Sequence, residues 1–217
     1  CVIPDGMEDR FEHLPLECSH LYLAIEGKLA AVICIEDPLR EEAADAVREL
    51  RAAGITKVGM MTGDSERTAA AIAKRVGVDE YYSEVLPEDK ASFVEKEKAL
   101  GHKVIMIGDG INDSLALSSA NVGIAISDGA DIAREIADVT ISADNLHEIV
   151  TLKRLSTALM KRIHNNYRTI IGVNGGLIAL GVTGVIMPTT SALLHNMSTL
   201  TISLRSMRNL LPKEETL

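Results

Sequence analysis

The sequence has 217 residues, 47% of them hydrophobic, enough for one ordinary domain with a sizeable core plus attachments. Its formal net charge of −9 argues against a nucleic-acid binder. Three cysteines, Cys1, Cys18 and Cys34, form no CxxC pair and outline no disulfide framework, so they read as buried or incidental thiols.

The chain opens on Cys1, with no initiator methionine and no signal peptide, which reads as a segment of a longer protein. Residues 1–20 are irregular and polar. Two strand-like runs follow at 21–26 and 29–35, with Gly27-Lys28 as a tight turn between them. Asp37-Pro38 breaks the pattern, and strand and helix signals alternate from there. Ala43, Val47 and Leu50 share one helical face, and Gly54 ends that helix. Residues 57–61 form an apolar strand running into Thr62-Gly63-Asp64. Ala69, Ile72, Ala73 and Val76 mark a second helix, closed by Gly77. Pro87 falls in the first turn of a third, a favoured place for proline. Residues 103–107 make another strand, ending in Gly108-Asp109-Gly110, and 122–126 and 139–141 read as two more.

Short apolar strands, each followed by a helix, predict an α/β fold: a parallel sheet with helices on both faces. In such sheets chemistry gathers at the carboxyl ends of the strands, where both acidic glycine loops, 62–64 and 108–113, fall.

The last quarter is different: apolar, rich in Gly, Thr and Ser, and free of acids until its final residues. Residues 169–187 carry no charge over 19 positions, near the ~20 needed to span a bilayer, and Pro188 breaks the run. Residues 189–204 are also uncharged but hold His195, Asn196 and several hydroxyls. Lys153, Arg154, Lys161, Arg162 and Arg168 precede this stretch, and Arg205 and Arg208 follow it. Cations on both outer flanks predict a membrane hairpin with both ends in the cytosol. A buried helix pair in a soluble protein is the plainer reading.

The strongest chemical signal is Gly108-Asp109-Gly110-Ile111-Asn112-Asp113. Two carboxylates four residues apart at a strand end form a hard oxygen site suited to Mg²⁺, and the glycines let the backbone approach a phosphate. Thr62-Gly63-Asp64 places a hydroxyl and amide donors just before a helix N-terminus, which favours anions. Lys90, near the same sheet edge, suits a phosphoryl oxygen. Alone, an acidic glycine loop is often only a turn, and a single lysine is usually solvated surface. The order of the three at successive strand ends is what carries the signal.

Together they resemble the later motifs of the haloacid-dehalogenase-like superfamily, and in detail those of P-type ATPases. The family's GDGxNDxPAL signature corresponds to residues 108–117, with Ser114 in place of the usual proline. Asp37-Pro38-Leu39-Arg40 is similar to the family's hinge motif. The resemblance implies that Asp109 holds Mg²⁺ with Asp113 beside it, that Asp64 and Asn112 belong to the same catalytic set, and that Thr62, Gly63 and Lys90 hold the phosphoryl oxygens. ATP is then the substrate. The family's DKTGT segment, whose Asp is phosphorylated, occurs nowhere in these residues, so this stretch by itself is expected not to hydrolyse ATP.

Two membrane segments after the cytosolic part resemble the heavy-metal (type IB) pumps. That implies a layout of 1–33 as the tail of a nucleotide-binding domain, 34–158 as the phosphorylation domain and 159–217 as the membrane hairpin. The implied place is a bacterial cytoplasmic membrane, with residues 1–160 in the cytosol, the rest of the same pump as partner and no nucleic acid. His195-Asn196-Met197-Ser198-Thr199 is similar to the His-Glu-Gly-x-Thr pattern of cobalt-type pumps, with a neutral amide replacing the carboxylate. His195, Asn196, Ser198, Thr199 and Asn174 are therefore candidate ligands of a transported divalent metal of the Zn, Cd, Co or Ni type. Helix–helix hydrogen bonding is the plainer role for His195 and close packing for Asn174. Two other functions fit the motifs: a membrane-anchored phosphatase of the same superfamily, and a non-catalytic phosphate-binding regulator.

Overall fold

The computed structural model describes residues 13–14, 19–35, 39–108, 112–126, 135–141 and 145–210. The chain divides into two compact units, Cys1–Val150 and Thr151–Leu217.

The first unit opens with a β-hairpin. Strands β1 (Ser19–Ile25) and β2 (Lys28–Ile35) pair antiparallel, with a register irregularity between Leu23 and Ala24. The turn is Glu26-Gly27, one residue earlier than expected. Both have positive φ, 49° and 80°, the twist that a two-residue hairpin requires. Apolar side chains on both faces are exposed, Leu21, Leu23 and Ile25 among them, as is Cys34.

Alternating helices and parallel strands follow: α1 (Ala43–Ala52), β3 (Gly59–Met61), α2 (Glu66–Val76), β4 (Glu80–Tyr82), α3 (Pro87–Ala99), β5 (Ile105–Gly108), α4 (Ser114–Ser119), β6 (Val122–Ile126) and β7 (Val139–Ile141). The parallel pairing falls into two described sheets, β3-β4 and β5-β6-β7. This is the expected α/β architecture. Strand β4, Glu80-Tyr81-Tyr82, is an addition to the expected strands, since it lacks the apolar run that marks the others.

Local chemistry fixes the helix ends. The Ser65 hydroxyl accepts from the Thr68 N–H to start α2, and Gly77, at φ 79°, ends it in the left-handed conformation. Pro87 is the first residue of α3, followed by Glu88 and Asp89, with Lys96 and Lys98 in the last turn to match the helix dipole. The core joins Val94 of α3, Met106 of β5, and Ala116 and Leu117 of α4. Met61, Ala91 and Val104 pack against it.

The second unit contains most of α5 (His147–Val182), 36 residues long and begun in the first unit, and α6 (Pro188–Ser206). Hydrogen bonds join Asn166 to Ser206 and Asn174 to His195, so position rises on one helix as it falls on the other: the pair is antiparallel. The facing positions on α5 recur at helical spacing.

The expected spans are corrected in detail. Among the described residues, no helix is long and apolar enough to cross a membrane. The uncharged run does not stay helical to its end. Helix α5 stops at Val182, leaving 14 uncharged helical residues from Thr169, ~21 Å against a hydrocarbon core of ~30 Å. Pro188 does not close the first helix; it begins α6, whose imidazole, amide and hydroxyls lower its apolar character.

Candidate phosphoryl site and helix-pair polar cluster

Strand β3 ends at Met61 and delivers Thr62 to the loop before α2. The Thr62 N–H donates to the Tyr82 carbonyl at 3.0 Å, and its own carbonyl accepts from the Val85 N–H at 3.0 Å. The Asp64 carbonyl accepts from the Glu84 N–H at 2.9 Å. Strand β4 and the residues after it thus anchor the loop. Sequence reasoning missed this support, because backbone bonds leave no side-chain pattern.

Within the loop the Thr62 hydroxyl donates to Asp64 Oδ2 at 2.6 Å and accepts from the Asp64 N–H at 3.1 Å. Gly63 is exposed between them. The expected phosphate-facing hydroxyl therefore has a local acceptor, which holds it at the mouth of the strand.

Lys90, in the first turn of α3, donates to Asp113 Oδ1 at 2.7 Å. Their side chains retain 15% and 12% exposure, so the pair is largely withdrawn from water. Asp113 immediately precedes α4 and lies against the end of β5. A Cβ added to Gly108 would meet the Asp113 Cβ and Cγ at 2.7 and 2.8 Å, so only glycine lets this carboxylate cross the strand end. Asn112 is exposed beside it. Asp109, the expected principal Mg²⁺ ligand, lies outside the described residues, as does Asp37-Pro38 of the expected hinge.

The structure thus joins Lys90 to Asp113 and Thr62 to Asp64. Met61 and Ala91, the neighbours of Thr62 and Lys90, pack against the same core cluster. Among the described residues no three His, Cys, Asp or Glu side chains form a metal-holding group. The chemistry of the donors nevertheless fits Mg²⁺: carboxylate and amide oxygens beside a lysine, with no thiolate or imidazole competing.

The transport candidates are partly gathered. His195 Nδ1 and Asn174 Oδ1 lie 2.9 Å apart across the helix pair. Both the Ser198 and Thr199 hydroxyls donate to the His195 carbonyl, at 2.8 and 3.1 Å, which places them on the His195 side of α6. Asn196 stands aside, ~100° further around the helix, and is exposed.

The model of the haloacid dehalogenase-like hydrolase family matches residues 5–121, and a second model of the same description matches 92–151. A manganese-exporting P-type ATPase of Mycobacterium bovis is 39% identical over 189 residues, 87% of this chain and 26% of its own length. Copper-transporting ATPase 2 of Rhizobium meliloti is 44% identical over 81% of this chain and 21% of its own. The crystal structure of a zinc-transporting PIB-type ATPase in the E2·Pi state superposes with a TM-score of 0.82 at 30% identity, over 96% of this chain and 34% of that one. The chain spans about a quarter of the length of the curated relatives it matches. It belongs to the haloacid dehalogenase-like hydrolase family and, within it, corresponds to a segment of the heavy-metal P-type ATPases.

Proposed function

We propose that these residues form the phosphorylation-domain core and a membrane helix pair of an ATP-driven pump that exports a divalent transition-metal ion. The observation that carries the reading is the enclosed Lys90–Asp113 pair, in a chain 39% identical to a manganese exporter.

In this reading Asp109 and Asp113 hold Mg²⁺, which screens the charge between the ATP phosphates and the carboxylates. Lys90 and the Thr62 hydroxyl exchange their partners, Asp113 and Asp64, for phosphoryl oxygens. The Gly63 backbone allows close approach. Asp64 and Asn112 orient the two loops. The carboxylate that takes the phosphoryl group is expected on a DKTGT segment elsewhere in the whole pump. Catalysis by these residues is positioning and charge stabilisation.

Residues 1–33 are proposed to close the nucleotide-binding domain, which would cover the exposed apolar faces of β1 and β2. Residues 34–158 are proposed as the phosphorylation domain, cytosolic together with 1–33, and 159–217 as the hairpin in a bacterial cytoplasmic membrane. Helix pairs of this polarity need company in a bilayer: other helices of the pump would cover the His195 and Asn174 face, and lipid the apolar one. The match over 96% of the chain to a zinc-transporting ATPase leaves too few residues outside it to omit the hairpin, which supports that assignment.

For the cargo, His195 and Asn174 supply imidazole nitrogen and amide oxygen, with hydroxyls at Ser198 and Thr199 and a further amide at Asn196. This set suits Zn²⁺, Co²⁺, Ni²⁺ and Cd²⁺, and its lack of sulfur also admits Mn²⁺; it disfavours Cu⁺. Relatives named as manganese-exporting and zinc-exporting fit that range.

The test is metal-stimulated ATP turnover by the whole pump. Asp109→Asn and Lys90→Ala are each expected to lower it by a factor of about a hundred or more, some 3 kcal/mol of barrier. His195→Ala and Asn174→Ala should raise the metal concentration needed for half-stimulation. Turnover within about tenfold of the parent in the Asp109 variant would overturn the site assignment. Best activation by Cu⁺ would overturn the cargo class.

A further inference from the structure

At the end of the helix pair away from its connecting turn, a cavity of about 300 Å³ opens between α5 and α6. Lys161, Arg162, Arg205 and Arg208 line it, with Asn165 and Asn166 beside them. Arg162 already serves the fold, since it donates to the carbonyls of Ser206, Arg208 and Asn209 and so caps the end of α6. Lys161, Arg205 and Arg208 are exposed. The sequence from 149 to 213 contains no Asp or Glu, so no acid of this stretch offsets four cations around one cavity. Such a site favours an anion.

The lining narrows the choice. Ala158 and Leu210 share it with the cations, and Ile163, Tyr167, Leu204 and Met207 are exposed at the same level of the helix pair. A free inorganic anion would satisfy the charges and leave these side chains in water. An amphiphile with an anionic head would engage both. The level also fits: α6 has 19 residues, so ~28 Å separates the cavity from the connecting turn, close to the ~30 Å thickness of a bilayer's hydrocarbon core. Tyr167 then stands where aromatic side chains collect, at the headgroup boundary.

We propose that this cavity binds the phosphate headgroup of an anionic glycerophospholipid of the cytosolic leaflet, whose acyl chains run along the apolar surface of the helix pair. The inference rests on the membrane reading of the helix pair. Lysine and arginine hold the phosphodiester by charge, and the asparagine amides add hydrogen bonds to its oxygens.

The experiment titrates the purified 217-residue chain, in a neutral maltoside micelle, with dioctanoyl phosphatidylglycerol, dioctanoyl phosphatidylcholine and inorganic phosphate, followed by calorimetry. One phosphatidylglycerol per chain is expected to bind, roughly tenfold or more tighter than either of the others. Arg205→Gln with Arg208→Gln should weaken it by a similar factor. Arg205→Lys with Arg208→Lys should keep it, and so should Lys153→Gln with Arg154→Gln, which removes equal charge from α5 outside the cavity. Helicity by circular dichroism verifies each variant. Equal affinity for the two lipids overturns the proposal, as does equal loss in the two glutamine variants, which would mean diffuse attraction. Inorganic phosphate binding as tightly as the lipid would make this a soluble-anion site and overturn it too. Association with pure phosphatidylcholine vesicles tests the membrane reading separately; association without headgroup selectivity sinks this inference alone.

Discussion

Lys90 and Asp113 each lose most of their hydration, and each is compensated by the other across 2.7 Å. Removing one leaves the other charged and enclosed. Lys90→Met is expected to destabilise the first unit by roughly 2–3 kcal/mol, below the cost of breaking a fully buried pair because some water remains. Adding Asp113→Asn should recover much of that loss, and a double-mutant cycle in urea measures the coupling. If both single variants and the double unfold alike, the pair contributes nothing beyond packing. The sequence marked both residues, because a lysine after Pro87 and an acid ending Gly-Ile-Asn-Asp match a known motif. Their mutual bond was not legible, since they stand 23 positions apart with the rest of α3 and strand β5 between them. The Thr62 hydroxyl is a similar case: the motif indicated a phosphate contact, while the fold gives it Asp64 to hold meanwhile.

Helix α4 and strand β6 approach each other closely at Gly123. A Cβ on Gly123 would lie 2.7 Å from the Leu117 carbonyl oxygen, and its N–H donates to Asp138 at 2.8 Å. Both neighbours are fixed, one by the helix backbone and one by the approach to β7. Gly123→Ala should therefore cost about 1–3 kcal/mol, the range for overpacking, seen as a lower thermal midpoint. A second expectation concerns acid. Asp79 is held below the usual carboxylate range first by the Val58 N–H and then by Arg51; Glu66 by the Ser83 and Tyr81 hydroxyls; Glu80 by Lys57 and the Tyr82 hydroxyl. Folded carboxyls with lowered pKa bind fewer protons than unfolded ones. Their stabilisation is complete above the ordinary carboxylate pKa of ~4 and is lost as pH falls through the depressed folded values. The urea midpoint should be flat from neutral pH down to about 5 and then drop, and Asp79→Asn should soften that drop. Strand positions are legible where apolar runs mark them, as at 122–126 and 139–141. Strand β4 is not, because Glu80-Tyr81-Tyr82 owes its place to pairing with β3 and to these surface bonds, which only the fold creates.

The whole chain joins two units with opposite demands on solvent. The first buries Leu117, Ile124, Val94 and Val150 almost completely, as a water-soluble core does. In the second, no residue of α6 is buried, and Val182, Val185 and Leu193 are 84%, 69% and 62% exposed. The boundary was legible in composition, from the point where acids cease. The length of α5 was not, because its charged first half and apolar second half share one helical period. These contrasts predict two separable unfolding transitions rather than one. Leu117→Ala should lower only the first unit's transition, by about 2–5 kcal/mol, as a cavity in a closed core does. Maltoside micelles should raise the transition reported by the helix pair more than the first unit's, because α6 has no buried residue while the first unit keeps a closed core beside its exposed β1–β2 hairpin. Asn166→Ala should lower that second transition alone, by removing its 2.7 Å bond to Ser206. Hydrogen exchange resolved by peptide assigns each transition to its residues. A single cooperative melt, shifted equally by Leu117→Ala and by detergent, would show that the two units stabilise each other and would refute this division.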